Sequence, residues 1–265
     1  MQACIRGQIN PYTFYQTHYP EILSEAQQRM GQDKQKGIDR SLNYYLRETL
    51  YSKTKRLECT TFKTTVAKIF NKKFNVTRLL DPSAGWLDRI SGALAAGVEA
   101  YHGVDPNPAL RGPYDDFLNF AREQQALGKI PDTVNLNNYG VFTEDFLVEN
   151  RLPDDYYDMV FTSPPFYDYE IYVQDLNDPR QSIFEKRTVD DWLNGFLFPY
   201  LKKAWDKLVV GGRLALYITD PGEEKFLEKM FNYINFNLRG NYRGVIAVTD
   251  FQMKKANPIW FWQKT

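Results

Sequence analysis

Tyr157-Asp158-Met159-Val160-Phe161-Thr162-Ser163-Pro164-Pro165-Phe166 decides how the rest of the chain is read. Tyr157 to Phe161 is rich in aromatic and β-branched residues and is entered from the polar turn Pro153-Asp154-Asp155, which predicts a buried strand. Two successive prolines end it, because neither donates to a sheet ladder and each holds its predecessor extended. A rigid loop therefore leaves the strand's carboxyl end, carrying the Ser163 hydroxyl, outward-facing carbonyls and the Phe166 ring. In an open α/β sheet, ligands bind at the carboxyl ends of the strands.

Such a loop suits a particular chemistry. An exocyclic amino group on a nucleobase is a poor nucleophile, because its lone pair is delocalised into the ring. Two acceptors, the Ser163 hydroxyl and the Pro164 carbonyl, would hold both N–H groups and favour a pyramidal nitrogen. Phe166 would stack on the base, an interaction worth about 1–3 kcal/mol. Fixed acceptors aimed at developing positive charge are the counterpart of an oxyanion hole. For these four residues alone, a strand followed by a stiff turn with no chemistry is the competing reading.

A second organised stretch begins at Val76. Val76 to Leu80 predicts a strand running into Asp81-Pro82-Ser83-Ala84-Gly85-Trp86-Leu87-Asp88-Arg89. A helix follows from about Asp88 to Ala96 and stops at Gly97, and a strand from Ala100 to Val104 ends at Asp105-Pro106-Asn107. Strand, small-residue loop, helix, strand and acid make a nucleotide-binding βαβ unit, in which the acid about twenty residues on meets ribose hydroxyls. A pyrophosphate site would show Gly-x-Gly-x-x-Gly; here Gly85 is followed by Trp86 and Leu87, so a ligand without phosphates fits better.

The whole chain has 265 residues, 43% hydrophobic and 25% charged, an ordinary globular composition. No apolar run approaches the roughly 18 residues of a membrane span, and the first residues lack the core of a signal peptide. Two cysteines, Cys4 and Cys59, and two histidines, His18 and His102, make neither a disulfide framework nor a zinc site, so no metal is expected. An intracellular location is expected: cytoplasm, nucleus or a viral replication compartment, and not secretion. Net charge is +0, yet residues 29–78 hold thirteen Lys or Arg against four Asp or Glu. That asymmetry predicts either a polyanion partner, with Lys53, Lys55 and Arg56 as phosphate contacts, or a solvated basic face.

The two motifs together resemble the S-adenosylmethionine-dependent amino-methyltransferases that modify adenine N6 or cytosine N4. The family's first motif is commonly Asp-Pro-Phe-small-Gly-small-Gly, and Asp81 to Gly85 matches its first half; its catalytic motif, Asp/Asn/Ser-Pro-Pro-Tyr/Phe, is matched by Ser163 to Phe166. The resemblance runs from Val76 to the C-terminus, with Trp86 and Leu87 departing from the glycine-rich pattern. It implies that Asp81, Pro82, Ser83, Ala84 and Gly85 face the methionine and ribose parts of the cofactor, and that Asp105 accepts from the ribose hydroxyls. It implies that Asp145 accepts from the adenine amino group while Phe146 flanks the ring, against a helix cap and a core aromatic as the plain alternative. Thr61, in Cys59 to Lys63, is placed for the methionine carboxylate. Ser163 opening the catalytic motif favours cytosine N4 slightly over adenine N6, and the resemblance favours DNA over RNA.

The remaining chain fits an α/β, Rossmann-like class I methyltransferase: a mostly parallel sheet ending in an antiparallel hairpin, with a basic helical N-terminal extension. Residues 1–75 are expected to form that extension, with an irregular arm to residue 20 and helices at Glu21–Met30, Ser41–Tyr51 and Thr60–Phe74; 76–265 form the catalytic domain. Further helices are expected at Tyr114–Leu127, Asp190–Leu208 (kinked at Pro199) and Glu223–Phe236, and strands at Tyr139–Thr143, Arg213–Ile218, Tyr242–Thr249 and Ile259–Trp262. Tyr167 and Tyr169, in an aperiodic stretch to Thr188, would stack on a flipped base or form a self-packed lid. With no cysteine beside the proline pair, thiolate attack on a base carbon is not expected. Three functions compete: a base amino-methyltransferase, a methyltransferase for RNA, a protein amide or a small molecule, and a non-catalytic methyltransferase-like subunit that binds nucleic acid. No separate target-recognition domain is visible, which leaves room for a partner subunit.

Overall fold

The computed structural model describes residues 4–5, 11–54, 62–172, 178–186, 188–220, 225–250 and 255–265. It divides into two compact units, Met1–Thr60 with Asp168–Leu176, and Thr61–Tyr167 with Asn177–Thr265.

The first unit is helical: α1 (Pro11–Thr17), α2 (Tyr19–Gln35) and α3 (Leu42–Lys53). The irregular arm expected to residue 20 is instead helical from Pro11, because proline is tolerated in a first turn; Pro20 likewise sits in the first turn of α2. Ser41 caps α3 by accepting from the Tyr44 amide. Lys53, at the end of α3, binds Glu21 at 2.7 Å and Glu25 at 3.0 Å on α2. Arg29 takes the other side of Glu25 at 2.7 Å. Part of the basic stretch is thus neutralised by acids that lie just upstream of it. Within this unit Cys4–Ile5 pairs antiparallel with Glu170–Ile171.

The second unit holds, among the described residues, a seven-stranded sheet. Its strands are β1 (Arg78–Asp81), β2 (Ala100–Val104), β3 (Tyr139–Phe142), β4 (Tyr157–Thr162), β5 (Leu208–Tyr217), β6 (Asn241–Asp250) and β7 (Lys255–Gln263). Their order is β3-β2-β1-β4-β5-β7-β6, and β7 runs antiparallel to both its neighbours while the other pairs are parallel. This is the expected α/β, Rossmann-like architecture: a mostly parallel sheet ending in an antiparallel hairpin.

Alternate residues of the central strands feed two cores. Leu79, Met159 and Phe161 lie in one with α4 (Thr64–Lys73), α5 (Asp88–Ala96) and α6 (Arg111–Ala126). Leu80, Val160 and Leu214 lie in the other with α7 (Val189–Trp192), α8 (Phe198–Asp206) and α9 (Leu227–Asn232). Burial on both faces explains why these strands read as continuous apolar runs. Helix α4, expected in the N-terminal extension, belongs to the sheet unit. The helix expected at Asp190–Leu208 is interrupted by a π turn at Leu193–Leu197. Pro199 cannot donate to the Gly195 carbonyl, and the widened turn precedes that missing bond. Helix α9 also runs into a π turn, Tyr233–Asn237; the expected start at Glu223 lies outside the described residues, and the Asp220 carboxylate accepts from the Phe226 and Leu227 amides where the helix begins. Among the described residues no helix is long and apolar enough to cross a membrane.

The two helices that carry the first loop meet at a glycine. A Cβ on Gly92 of α5 would lie 2.4 Å from Ala67 Cβ and 2.9 Å from the Thr64 carbonyl oxygen on α4. Gly92→Ala should destabilise the protein by about 1–3 kcal/mol, since overpacking outweighs the helix-propensity gain of about 1 kcal/mol. The same change at Gly31 on α2, where no heavy atom lies within 4 Å, should stabilise by about 0.5–1 kcal/mol. Urea melts of both variants check this; equal effects would show that α4 and α5 do not touch at Gly92.

Candidate active site

Three strands end side by side at one edge of the sheet. Parallel pairing puts β1 between β2 and β4, so the segments after Asp81, Val104 and Thr162 leave the sheet together. The chain crosses from one side of β1 to the other here, a switch point at which α/β sheets open a crevice.

Asp81 closes β1 and is fully buried. Its Oδ2 accepts from Arg89 Nε at 2.7 Å and from the Tyr101 hydroxyl at 3.0 Å, while Oδ1 finds no partner among the described residues. Arg89 sits in the first turn of α5, also donates to the Ser83 carbonyl, and lies over the Phe62 ring at 5.6 Å. Burial opposes its charge, yet the Asp81 carboxylate holds the guanidinium above its ordinary range. Burial, with Asp81 beside it, raises the Tyr101 hydroxyl.

The loop between them is tight. Gly85 and Leu87 both have left-handed backbone, φ 62° and 75°. The second glycine of the family pattern falls at position 87, so Leu87 occupies a glycine conformation, packed against the core that holds α4 and α5. The Gly85 amide donates to Asp105 Oδ2 at 2.9 Å, and the Tyr114 hydroxyl donates to the Gly85 carbonyl. Asp105, just past β2, also takes the Asn107 amide at 3.0 Å on Oδ1. Burial pushes its carboxyl up from 3.8 to about 6 despite these two amides.

Across the crevice, Ser163 is half-buried just after β4, Pro164 is buried, and Pro165 and Phe166 are half-buried. Phe166 leans on the core under α8. Tyr167 turns inward with φ 52°, 7% exposed, its ring edge-on to Trp192 at 5.7 Å. Tyr169 is exposed and belongs to the helical unit, as does Lys53 with its two carboxylates. Asp145 is exposed and its Oδ1 accepts from the Leu147 amide, while Phe146 is buried edge-on to Tyr200 at 5.2 Å. Residues 146–148 form a turn that the Asp145 carboxylate closes, with no helix there for it to cap, and Phe146 joins the core. Thr61, Lys55 and Arg56 lie outside the described residues.

Four side chains at the site escaped the sequence reading: Arg89, Tyr101, Tyr114 and Tyr200. Only Arg89 left a signal, because a carboxylate ending a buried strand requires a cation and Arg89 is the first one after it. The Tyr200 hydroxyl meets Ser83 Oγ at 2.8 Å and Thr162 Oγ1 at 3.2 Å. Among the described residues no group of His, Cys, Asp or Glu is arranged to hold a metal ion.

No protein-family model matches the chain, and no curated protein matches it. Among solved structures, it is similar to a candidate class I S-adenosylmethionine-dependent methyltransferase from Listeria monocytogenes, at 17% identity and a TM-score of 0.47 over 84% of this chain and 67% of that one. It is similar to an rRNA methylase from Streptococcus thermophilus, at 11% identity and a TM-score of 0.46 over 78% of this chain and 98% of that one. A third is the 1,6-didemethyltoxoflavin-N1-methyltransferase of Burkholderia thailandensis, solved with S-adenosylhomocysteine, at 12% identity and a TM-score of 0.45 over 76% and 78%. At these levels the likenesses decide nothing about substrate, cofactor or residue roles.

The Asp81–Arg89 pair gives a stability test. Arg89→Met leaves a buried carboxylate without its cation and should cost about 3–5 kcal/mol in chemical denaturation. Adding Asp81→Asn should recover a large part of that loss. A single variant as stable as the parent would show that the pair is not buried as described.

Proposed function

We propose that this protein transfers a methyl group from S-adenosylmethionine to an exocyclic amino group of a nucleic-acid base. The observation that carries the reading is the meeting, at one switch point, of the Asp81–Gly85 loop, Asp105 and the Ser163–Phe166 loop.

The residues present fit an adenosyl cofactor. Asp105 spends one amide on each carboxylate oxygen and keeps lone pairs for two hydroxyl donors. The unpartnered Asp81 Oδ1 suits a cationic or N–H donor. Ser83, Ala84 and Gly85 are small enough for a ligand to approach the backbone. Phe146 would lie beneath the adenine through Tyr200 rather than form an open platform, and Asp145 would need to turn from the Leu147 amide to reach an amino group.

Bound S-adenosylmethionine supplies an electrophilic sulfonium methyl, so no covalent enzyme intermediate is needed. The protein's part is positioning. Ser163 Oγ and the Pro164 carbonyl accept the two N–H bonds of the target amine, which localises its lone pair as positive charge develops. The proline pair narrows the backbone freedom of these acceptors, and the half-buried Phe166 ring offers a face to the base. A paired base hides its amino nitrogen, so the substrate is a flipped or single-stranded nucleotide. The family resemblance favours DNA over RNA, and the serine that opens the motif favours cytosine N4 slightly over adenine N6.

Two variants separate the roles. Ser163→Ala should lower turnover on nucleic acid about 10²–10³-fold while leaving S-adenosylhomocysteine affinity unchanged, since the hydroxyl acts on the target nitrogen. Full turnover in that variant would remove the loop from the reaction. Asp105 should make cofactor affinity pH-dependent. Ribose hydroxyls favour the ionised carboxylate, so calorimetric affinity for S-adenosylhomocysteine should hold above about pH 6 and fall by up to tenfold per unit below it. Asp105→Asn should flatten that profile, and a flat profile in the parent would take Asp105 out of the cofactor site.

A further inference from the structure

Tyr200 reaches both sides of the crevice. It stands on α8 one residue after Pro199 and three after the π turn, and only 2% of it is exposed. Leu197, Tyr200, Leu201 and Ala204 form the buried stripe of this helix, so the ring is held by packing on both sides. Its edge meets Phe146, and its hydroxyl lies between Ser83 Oγ in the first loop and Thr162 Oγ1, the residue before Ser163. Burial raises its pKa, so it acts as a neutral hydroxyl.

Three hydroxyls in a row have a polarity. Each has one proton, so Tyr200 donates to at most one neighbour; with its proton used within the row, the protons run either from Ser83 to Thr162 or the reverse. A ligand that accepts a hydrogen bond from Ser83 takes that proton, so Tyr200 must donate to Ser83 and Thr162 must donate to Tyr200. A ligand that donates to Ser83 leaves the opposite order open. Ser83 is half-buried at the crevice, whereas Tyr200 and Thr162 are buried.

We propose that Tyr200 is a positioning residue that ties the Asp81–Gly85 loop to the end of β4, so that a ligand seated on the first loop orders the strand end carrying Ser163. The inference rests on the assignment of that loop to the cofactor. Its consequence is a sequence of events: the cofactor sets the acceptors before the amine arrives. The π turn ahead of Pro199 places Tyr200 at the required height, which gives that irregularity a role.

Hydrogen exchange of the full chain, with and without S-adenosylhomocysteine, tests this. In the parent, the ligand should slow exchange both at residues 81–87 and at the Ser163, Phe166 and Tyr167 amides. Tyr200→Phe removes one oxygen and keeps the ring. It should retain the slowing at 81–87 and lose that at 163–167 about fivefold, the equilibrium worth of one neutral hydrogen bond. Thr162→Val cuts the same chain at its other link and should behave alike, which keeps the test intact if either variant folds poorly. A Tyr200→Phe protein that still slows both segments overturns the proposal. Slowing confined to 81–87 in the parent also overturns it while leaving the cofactor assignment standing. Absence of any slowing, with no binding by calorimetry, removes the cofactor assignment and the proposal together.

Discussion

The buried carboxylate of Asp81 is the constraint on which this site depends. Taking a carboxylate out of water costs several kcal/mol unless it is paired and hydrogen-bonded. Arg89 and Tyr101 meet that demand on one oxygen. Because Arg89 is in the first turn of α5, satisfying Asp81 fixes where the helix starts over the end of β1. Only six residues, 82 to 87, remain to turn the chain through that gap, and two of them take left-handed backbone. The turn presents the Gly85 amide to Asp105 and so joins the ends of β1 and β2. Close packing sets the same geometry from below, since a Cβ on Gly103 would lie 2.9 Å from Ala84 Cβ.

The Ser163–Phe166 loop is shaped by different means. Ser163 follows a strand buried on both faces, and two prolines limit backbone freedom after it. The Asp81–Gly85 loop is thus held by electrostatics, and the Ser163–Phe166 loop is limited by covalent stiffness and packing. Tyr200 is the side chain that touches both. Asp81 Oδ1 has no partner among the described residues, and burial raises the Asp105 carboxyl to about 6, both of which are unfavourable. Groups of that kind gather where a ligand completes the bonding.

Much of this was legible in the sequence wherever punctuation was strong. Helix α5 runs from Asp88 to Ala96 and ends on Gly97 at φ 80°, and β2 spans Ala100 to Val104, because glycine and proline mark their limits. The antiparallel hairpin was visible as two aromatic, β-branched runs. Other features depended on distant partners and left no local trace. Lys53 belongs to a basic run, but its charge is taken by Glu21, 32 residues upstream. Tyr200 is one aromatic among many until the fold brings Ser83 and Thr162 to it, 117 and 38 residues away. The π turn at Leu193–Leu197 was read as a kink at Pro199, because a proline reports a break in the bonding but not how the chain repairs it. Asp145 and Phe146 were legible as a motif, and the structure adds a local turn bond from the Leu147 amide to Asp145 and a place in the core for Phe146.

The central claim is that an amine acceptor and an adenosyl cofactor meet at the ends of β1, β2 and β4. Its most direct test is to incubate the protein with methyl-labelled S-adenosylmethionine and single-stranded and duplex DNA and RNA, then digest to nucleosides for mass spectrometry. The account predicts label on an exocyclic nitrogen, N4-methylcytosine ahead of N6-methyladenine, in DNA. Label on a base carbon or a ribose oxygen, or none in any nucleic acid while the protein binds the cofactor, would contradict it.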